Sequence, residues 1–183
     1  MAFYKVATMC RVMKLLWLGV LIFCSLLALA QEVEITPGKG SVGLKITATK
    51  TYHWLTTEEA KPTLTLECAR KGNKGGHLLL FSPGGAISEA TQEMTPRNGA
   101  LTLTMKIGNT KQATTWIPYT DTETFAYYGK TEPERLQFIQ SMLNYPTVLF
   151  QFTPFLTGQV VTSEFDITKL RDEAAKHPEC GFK

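Results

Sequence analysis

Few side chains in this 183-residue chain could do chemistry, and they are widely dispersed. His53, His77 and His177 stand at neither a helical nor a metal-ligand spacing from one another. Paired carboxylates occur at Glu58-Glu59 and Asp172-Glu173, but sequence neighbours on a strand or helix point in different directions. Neither pair therefore offers two acids to one substrate. Ser82 lies in Ser82-Pro83-Gly84-Gly85, a turn, and not in the Gly-x-Ser-x-Gly elbow of a nucleophilic serine. Arg70-Lys71-Gly72-Asn73-Lys74-Gly75-Gly76 could cradle an anion, yet it lacks the closing Gly-Lys-Ser/Thr of a phosphate loop and no helix opens after it. A solvated hairpin loop is the simpler expectation. No nucleophile, base and orienting acid assemble from these residues, so the expected protein is not an enzyme and takes no cofactor or metal.

Cysteine is the more informative residue, and its meaning depends on the first thirty positions. Lys5, Arg11 and Lys14 precede the apolar run from Leu15 to Phe23, and Ala28-Leu29-Ala30 supplies the small residues that a signal peptidase prefers. Residues 1–30 are expected to be a signal peptide cleaved after Ala30, with Met13 a possible true start. The run to Ala30 is short against the ~20 apolar residues that span a bilayer, so no stable membrane insertion is expected after cleavage. Phe23 is too large for the residue preceding a lipidated cysteine, so Cys24 is expected to leave with the peptide. Of four cysteines, Cys68 and Cys180 then remain, and an even pair in an exported chain is most simply a disulfide. A redox or metal site would need a second cysteine nearby. Closing so long a loop is worth about 4 to 5 kcal/mol in the chain-entropy model.

Removing 30 of 183 residues leaves 153, enough for one domain with a real core. The formal charge of +3 disappears with the leader: three of nineteen Lys and Arg go, leaving sixteen against sixteen acids. A balanced chain gives no electrostatic reason to expect a nucleic-acid partner.

The most aromatic region holds Trp116, Tyr119, Tyr127 and Tyr128. As a surface, these four could stack sugars or dock a protein partner; otherwise they pack between sheet and helix.

The elements that must position these residues are mostly strands. Gln31 to Gly40, with Pro37, Gly38 and Gly40, suggests a flexible lead-in, after which residues 41–183 form one globular domain. Val42, Leu44 and Ile46 alternate with polar residues, as do Leu64 and Leu66 before Cys68, and Leu101 to Ile107. His77 to Phe81 completes a hairpin with the strand ending at Cys68. Tyr52-His53-Trp54 continues the sheet or forms a neighbouring strand, with Trp54 in the core. Thr114 to Ile117 and Glu123 to Tyr127 are further strands.

Thr131-Glu132-Pro133-Glu134 has capping-box spacing and opens a helix whose Leu136, Ile139 and Leu143, widened by Phe138 and Met142, face a sheet. Asn144 and Pro146 end it. Thr147 to Phe152 and Val160 to Phe165 should pair as an antiparallel hairpin. Asp166 or Thr168 can cap a last helix with Leu170 and Ala174 inward, Lys176 and His177 at its negative end and Pro178 as its stop. Many short strands followed by two helices imply a mainly β, α+β chain: an antiparallel β-sandwich, or a strongly curved sheet with helices packed on one side.

Cys68, Trp116, Thr124-Phe125, the helix segment Phe138 to Leu143, the strand Val148 to Pro154, Phe165-Asp166-Ile167, Leu170 and Cys180, taken in order, resemble the VasI/TagO-like family. The resemblance covers roughly the C-terminal two thirds of the cleaved chain and rests on the order of elements between the two cysteines. Members of that family are small exported proteins encoded with bacterial type VI secretion systems. Before their first core strands they tend to carry a Trp followed by a Ser and paired-Asp segment. This chain has His53-Trp54-Leu55-Thr56-Thr57-Glu58-Glu59 instead. The resemblance implies a periplasmic accessory that docks on an envelope protein. A secreted inhibitor or immunity-type protein, using a loop such as Lys71 to Gly76, is the alternative, and a small envelope hydrolase the third.

Overall fold

A computed structural model describes residues 32–50, 52–53, 59–69, 76–84, 100–119, 124–152 and 160–182. Residues 1–31, Trp54, most of the loop from Arg70 to Gly76, and Asn98-Gly99 lie outside these residues. Nine strands form one antiparallel sheet, in the order β1 (Glu34–Gly38), β2 (Ser41–Thr47), β5 (Thr63–Ala69), β6 (Leu78–Ser82), β9 (Phe125–Tyr127), β8 (Thr110–Pro118), β7 (Leu101–Ile107), β10 (Thr147–Phe152) and β11 (Val161–Asp166). A two-residue pair, β3 (Tyr52–His53) with β4 (Glu59–Ala60), stands apart from it. Among the described residues two helices accompany the sheet: α1 (Glu132–Leu143) and α2 (Thr168–Ala174).

The strand order is unbroken from β1 to β11, so the layout is a curled half-barrel and not two stacked sheets. Aromatic packing shows how far it curls. In a flat sheet, Phe81 on β6 and Phe150 on β10 would stand four strand spacings apart, about 19 Å. Their rings instead stack with centroids 5.0 Å apart. Phe165 on β11, one strand further, still reaches Phe81 at 6.3 Å. The period-two strands supply the concave lining. Val42, Leu44 and Ile46 lie opposite Cys68, Leu66 and Leu64, and all six are buried. Leu103, Met105 and Ile107 continue the lining, and one apolar cluster unites it with Ile139, Met142 and Leu143 of α1 and Leu170 and Ala174 of α2. Both helices therefore cover the concave side.

Hydrogen bonds nearly close the barrel. Just past β2, Thr49 donates its N–H and its hydroxyl to the Glu164 carbonyl of β11, at 2.8 and 3.1 Å. Lys50 Nζ adds an ion pair to the Glu164 carboxylate at 3.1 Å. α2 leaves β11 and packs back on β2, so it lies over this seam.

Local signals account for most boundaries. Thr131 caps α1 and Glu134 reciprocates, which completes the capping box. At α2, Asp166 accepts from the Thr168 N–H at 3.0 Å, although the residue at the cap position itself is Ile167. β10 and β11 pair over their full length. β8 runs longer than its four-residue signal because β7 templates all of Leu101 to Ile107 against it. The strand expected from Glu123 begins at Phe125.

One expectation is corrected. The lead-in from Gln31 to Gly40 contains strand β1, in register with β2 from Glu34↔Lys45 to Gly38↔Ser41. Proline and glycine suit this strand because it lies at the sheet edge, where a missing N–H breaks no ladder. Gly40, at φ 77°, makes the tight turn into β2.

Candidate functional site

The aromatic residues separate into a buried anchor and two distinct surfaces. Trp116 is fully buried, donating its indole N–H to Thr114 Oγ1 at 2.9 Å, and Thr114 in turn donates to the Leu103 carbonyl at 3.1 Å. That relay satisfies the polar atoms of a Trp-Thr pair inside the core. Trp116 thus offers no surface of its own. Tyr127 lies across from it on β9, rings 5.7 Å apart, and Phe138 of α1 stacks on Tyr127 at 4.0 Å. This stack joins helix to sheet.

Tyr119 lies just past the end of β8, whereas Tyr128 lies beside its middle. Tyr128 donates its N–H to the Thr115 carbonyl, whereas Tyr119 follows four residues later, about 13 Å along the strand. Tyr119 lines a cleft with β1, β2 and β5 beside Glu67. Burial, then the charge and hydrogen bond of Glu67, raise its phenol pKa above the usual value. Tyr128 is 50% exposed and opens onto a separate groove. Of the four aromatic candidates, the fold brings together Tyr127 and Tyr128 above Trp116, and leaves Tyr119 elsewhere.

That groove lies between β8 and α1 and has a volume of about 580 Å³. Glu134, Gln137, Phe138 and Ser141 line its helix side, with Gln112 and Thr115 across from them. The helix residues stand at i, i+3, i+4 and i+7, so they form a second stripe beside the buried one. Sequence reasoning missed it by following only the apolar stripe. The same spacing, applied to polar residues, would have found it. Burial and then the Glu134 charge raise the Tyr127 phenol pKa, so this hydroxyl stays protonated at neutral pH. Gly129 shapes the near end, where a Cβ would lie 2.5 Å from Arg135 Cγ. Arg135 reaches back to donate to the Gly129 carbonyl at 3.1 Å.

The other residues of interest gather at the chain's tail. Cys68 and Cys180 are disulfide-bonded across 112 residues, with Cα atoms 4.7 Å apart and both residues buried. His77 lies beside this bond, its Nε2 2.9 Å from the Cys180 carbonyl and its ring 5.7 Å from Phe182. A hydrogen bond to that carbonyl needs the proton on Nε2, which makes His77 a tail fastener. His177 lies 3.4 Å from Glu173 after α2. His77 and His177 therefore serve the tail. Of the His53 side chain nothing is described. Glu173 is held below the ordinary carboxylate range by hydrogen bonding to Lys176, outweighing burial, with His177 adding to it. Asp172 pairs instead with Arg171, so the two adjacent acids diverge as helical geometry requires.

Among the described residues, no group of three or more His, Cys, Asp or Glu could hold a metal ion. None of the described helices is long and apolar enough to cross a membrane. No family model matches the chain, and no curated protein or solved structure is significantly similar to it.

Proposed function

We propose that this chain is an exported, non-enzymatic envelope protein that works by contact, as a docking accessory of a type VI secretion system. The disulfide carries the reading. A bond between two buried cysteines far apart in sequence persists in an oxidising compartment, and the basic-then-apolar leader supplies a route to one. The bond also fixes the tail across a nearly closed half-barrel, leaving a stiff body with a filled interior. A stiff surface loses little entropy on docking. The resemblance to VasI/TagO-like proteins supplies the apparatus, and their place in the periplasm supplies the compartment.

The test is photo-cross-linking in the native host, followed by fractionation and thiol labelling. Cross-links to membrane-anchored components of the secretion apparatus, from a periplasmic and fully oxidised pool, support the proposal. A cross-link to one envelope hydrolase whose activity falls when the protein is added replaces it with the inhibitor reading. Retention in the cytoplasm with both thiols reduced overturns it.

A further inference from the structure

We propose that the groove between β8 and α1 is a binding site for a neutral glycan. This assignment is independent of the docking proposal and holds whichever protein the chain contacts.

The groove is lined by the wrong residues for a packing defect. A helix lying on a sheet ordinarily turns apolar side chains along every stripe that approaches it. α1 does so with Ile139, Met142 and Leu143, all buried. On the adjoining stripe only Phe138 is apolar, and it is taken up by its stack on Tyr127. Gln137 and Ser141 flank that stack and are exposed, facing a space with Gln112 and Thr115 on its far side. Gln112 stands opposite the buried Met105, on the register that elsewhere carries core residues. Along this face, β8 passes from the buried Trp116 and Thr114 to the exposed amide of Gln112, and the helix changes from apolar to polar beside it.

The lining chemistry selects the ligand class. Amides and hydroxyls both donate and accept, so Gln112, Gln137 and Ser141 match a molecule dense in hydroxyl or acetamido groups. The half-exposed Tyr128 ring offers a flat face for the C–H side of a pyranose. Lys130 and Glu134, the two charges on the groove, are of opposite sign, and Glu134 is engaged in the capping box. An anion would find one cation beside an acid. An apolar ligand would dehydrate the amides without partners for them, at a cost. The volume, about 580 Å³, lies within the ~300–1,000 Å³ usual for small-ligand sites. The Trp116–Tyr127–Phe138 stack holds both walls in place before any ligand arrives. Such a site loses little on ordering.

The experiment titrates the purified protein with N-acetylchitotetraose and a panel of neutral hexose oligosaccharides. Calorimetry reads affinity and amide NMR shifts locate the site. Saturable binding is expected for at least one neutral oligosaccharide, with shifts centred on Thr115, Tyr128 and Gln137. Tyr128→Ala and Gln137→Ala should each weaken it about tenfold or more. Both positions are exposed, so the variants should melt with the parent, and a Gln137→Asn variant controls for any that does not. Three results would overturn the assignment: no saturable binding across the panel at millimolar concentration, undiminished binding in both alanine variants, or shifts that map outside the groove. Binding of acidic oligosaccharides or unstructured peptides there, with no neutral sugar bound, would overturn it equally.

Discussion

The two helices cover the same concave sheet in different ways. α2 is seven residues long and buries Leu170 and Ala174 over the seam where β2 and β11 approach. A helix this short has little stability of its own, so it depends on its packing and on the covalent bond that follows it. α1 is twelve residues long, carries a complete capping box, and needs no covalent tie. It buries one stripe and leaves the neighbouring stripe wet. Closure thus comes from the Thr49 and Lys50 contacts to Glu164, the weaker helix over them and the disulfide that follows it, and the stronger helix is free to leave a groove open. A long, self-supporting element can spare a face for contact; a short one cannot.

The comparison can be broken most directly at the clasp. Cys68→Ser should lower stability by about 4 kcal/mol, read by denaturant melts under non-reducing conditions, while the reduced parent and reduced variant should nearly coincide. Equal stability of oxidised parent and variant would show that α2 holds the seam unaided. Leu170→Ala comes next. Its side chain is fully buried in the common core, so truncation should cost about 3 kcal/mol and accelerate exchange of amides on β2 and β11 ahead of those on β8. Uniform acceleration across the sheet would remove the distinction between seam and groove.

Thr131→Ala sharpens the other half of the comparison. Losing the cap of α1 should cost about 1 kcal/mol and leave the disulfide's redox behaviour unchanged. The smallest effect lies at Glu173. The hydrogen bond from Lys176 holds its folded pKa below the ordinary carboxylate value, so its contribution to stability is present above the unfolded pKa and is lost as pH falls through the folded one. Glu173→Gln should therefore flatten part of the acid-side fall in melting temperature. An unchanged acid limb would show that the Lys176 contact is no stronger in the folded chain than in the unfolded one.

Most elements of this fold could be read locally. Period-two runs placed β2, β5 and β7, and Thr131 with Glu134 placed the start of α1, because these signals involve neighbours along the chain. β1 was misread for the same reason: Pro37 and Gly38 look like punctuation until β2 is beside them. The candidate site was legible only in part. Tyr127 and Tyr128 stood out as aromatic, but their separation from Tyr119 depends on pairing with β8. Gln112 and Gln137 carried no sequence signal of joint purpose, since they are distant in the chain and meet only where α1 lies across β8.

Composition and pattern by themselves determined that this is a mainly antiparallel chain with two late helices and a single cysteine pair after residue 30. Those properties follow from residue types and short-range spacing. Tertiary structure alone decided that the sheet curls into one half-barrel, that α2 closes its seam, and that a polar stripe of α1 meets an amide on β8. Curl depends on which side chains fill the concave face together, as Phe81, Phe150 and Phe165 do from strands far apart in the sheet. That packing is a property of the assembled core, and no window of the sequence contains it.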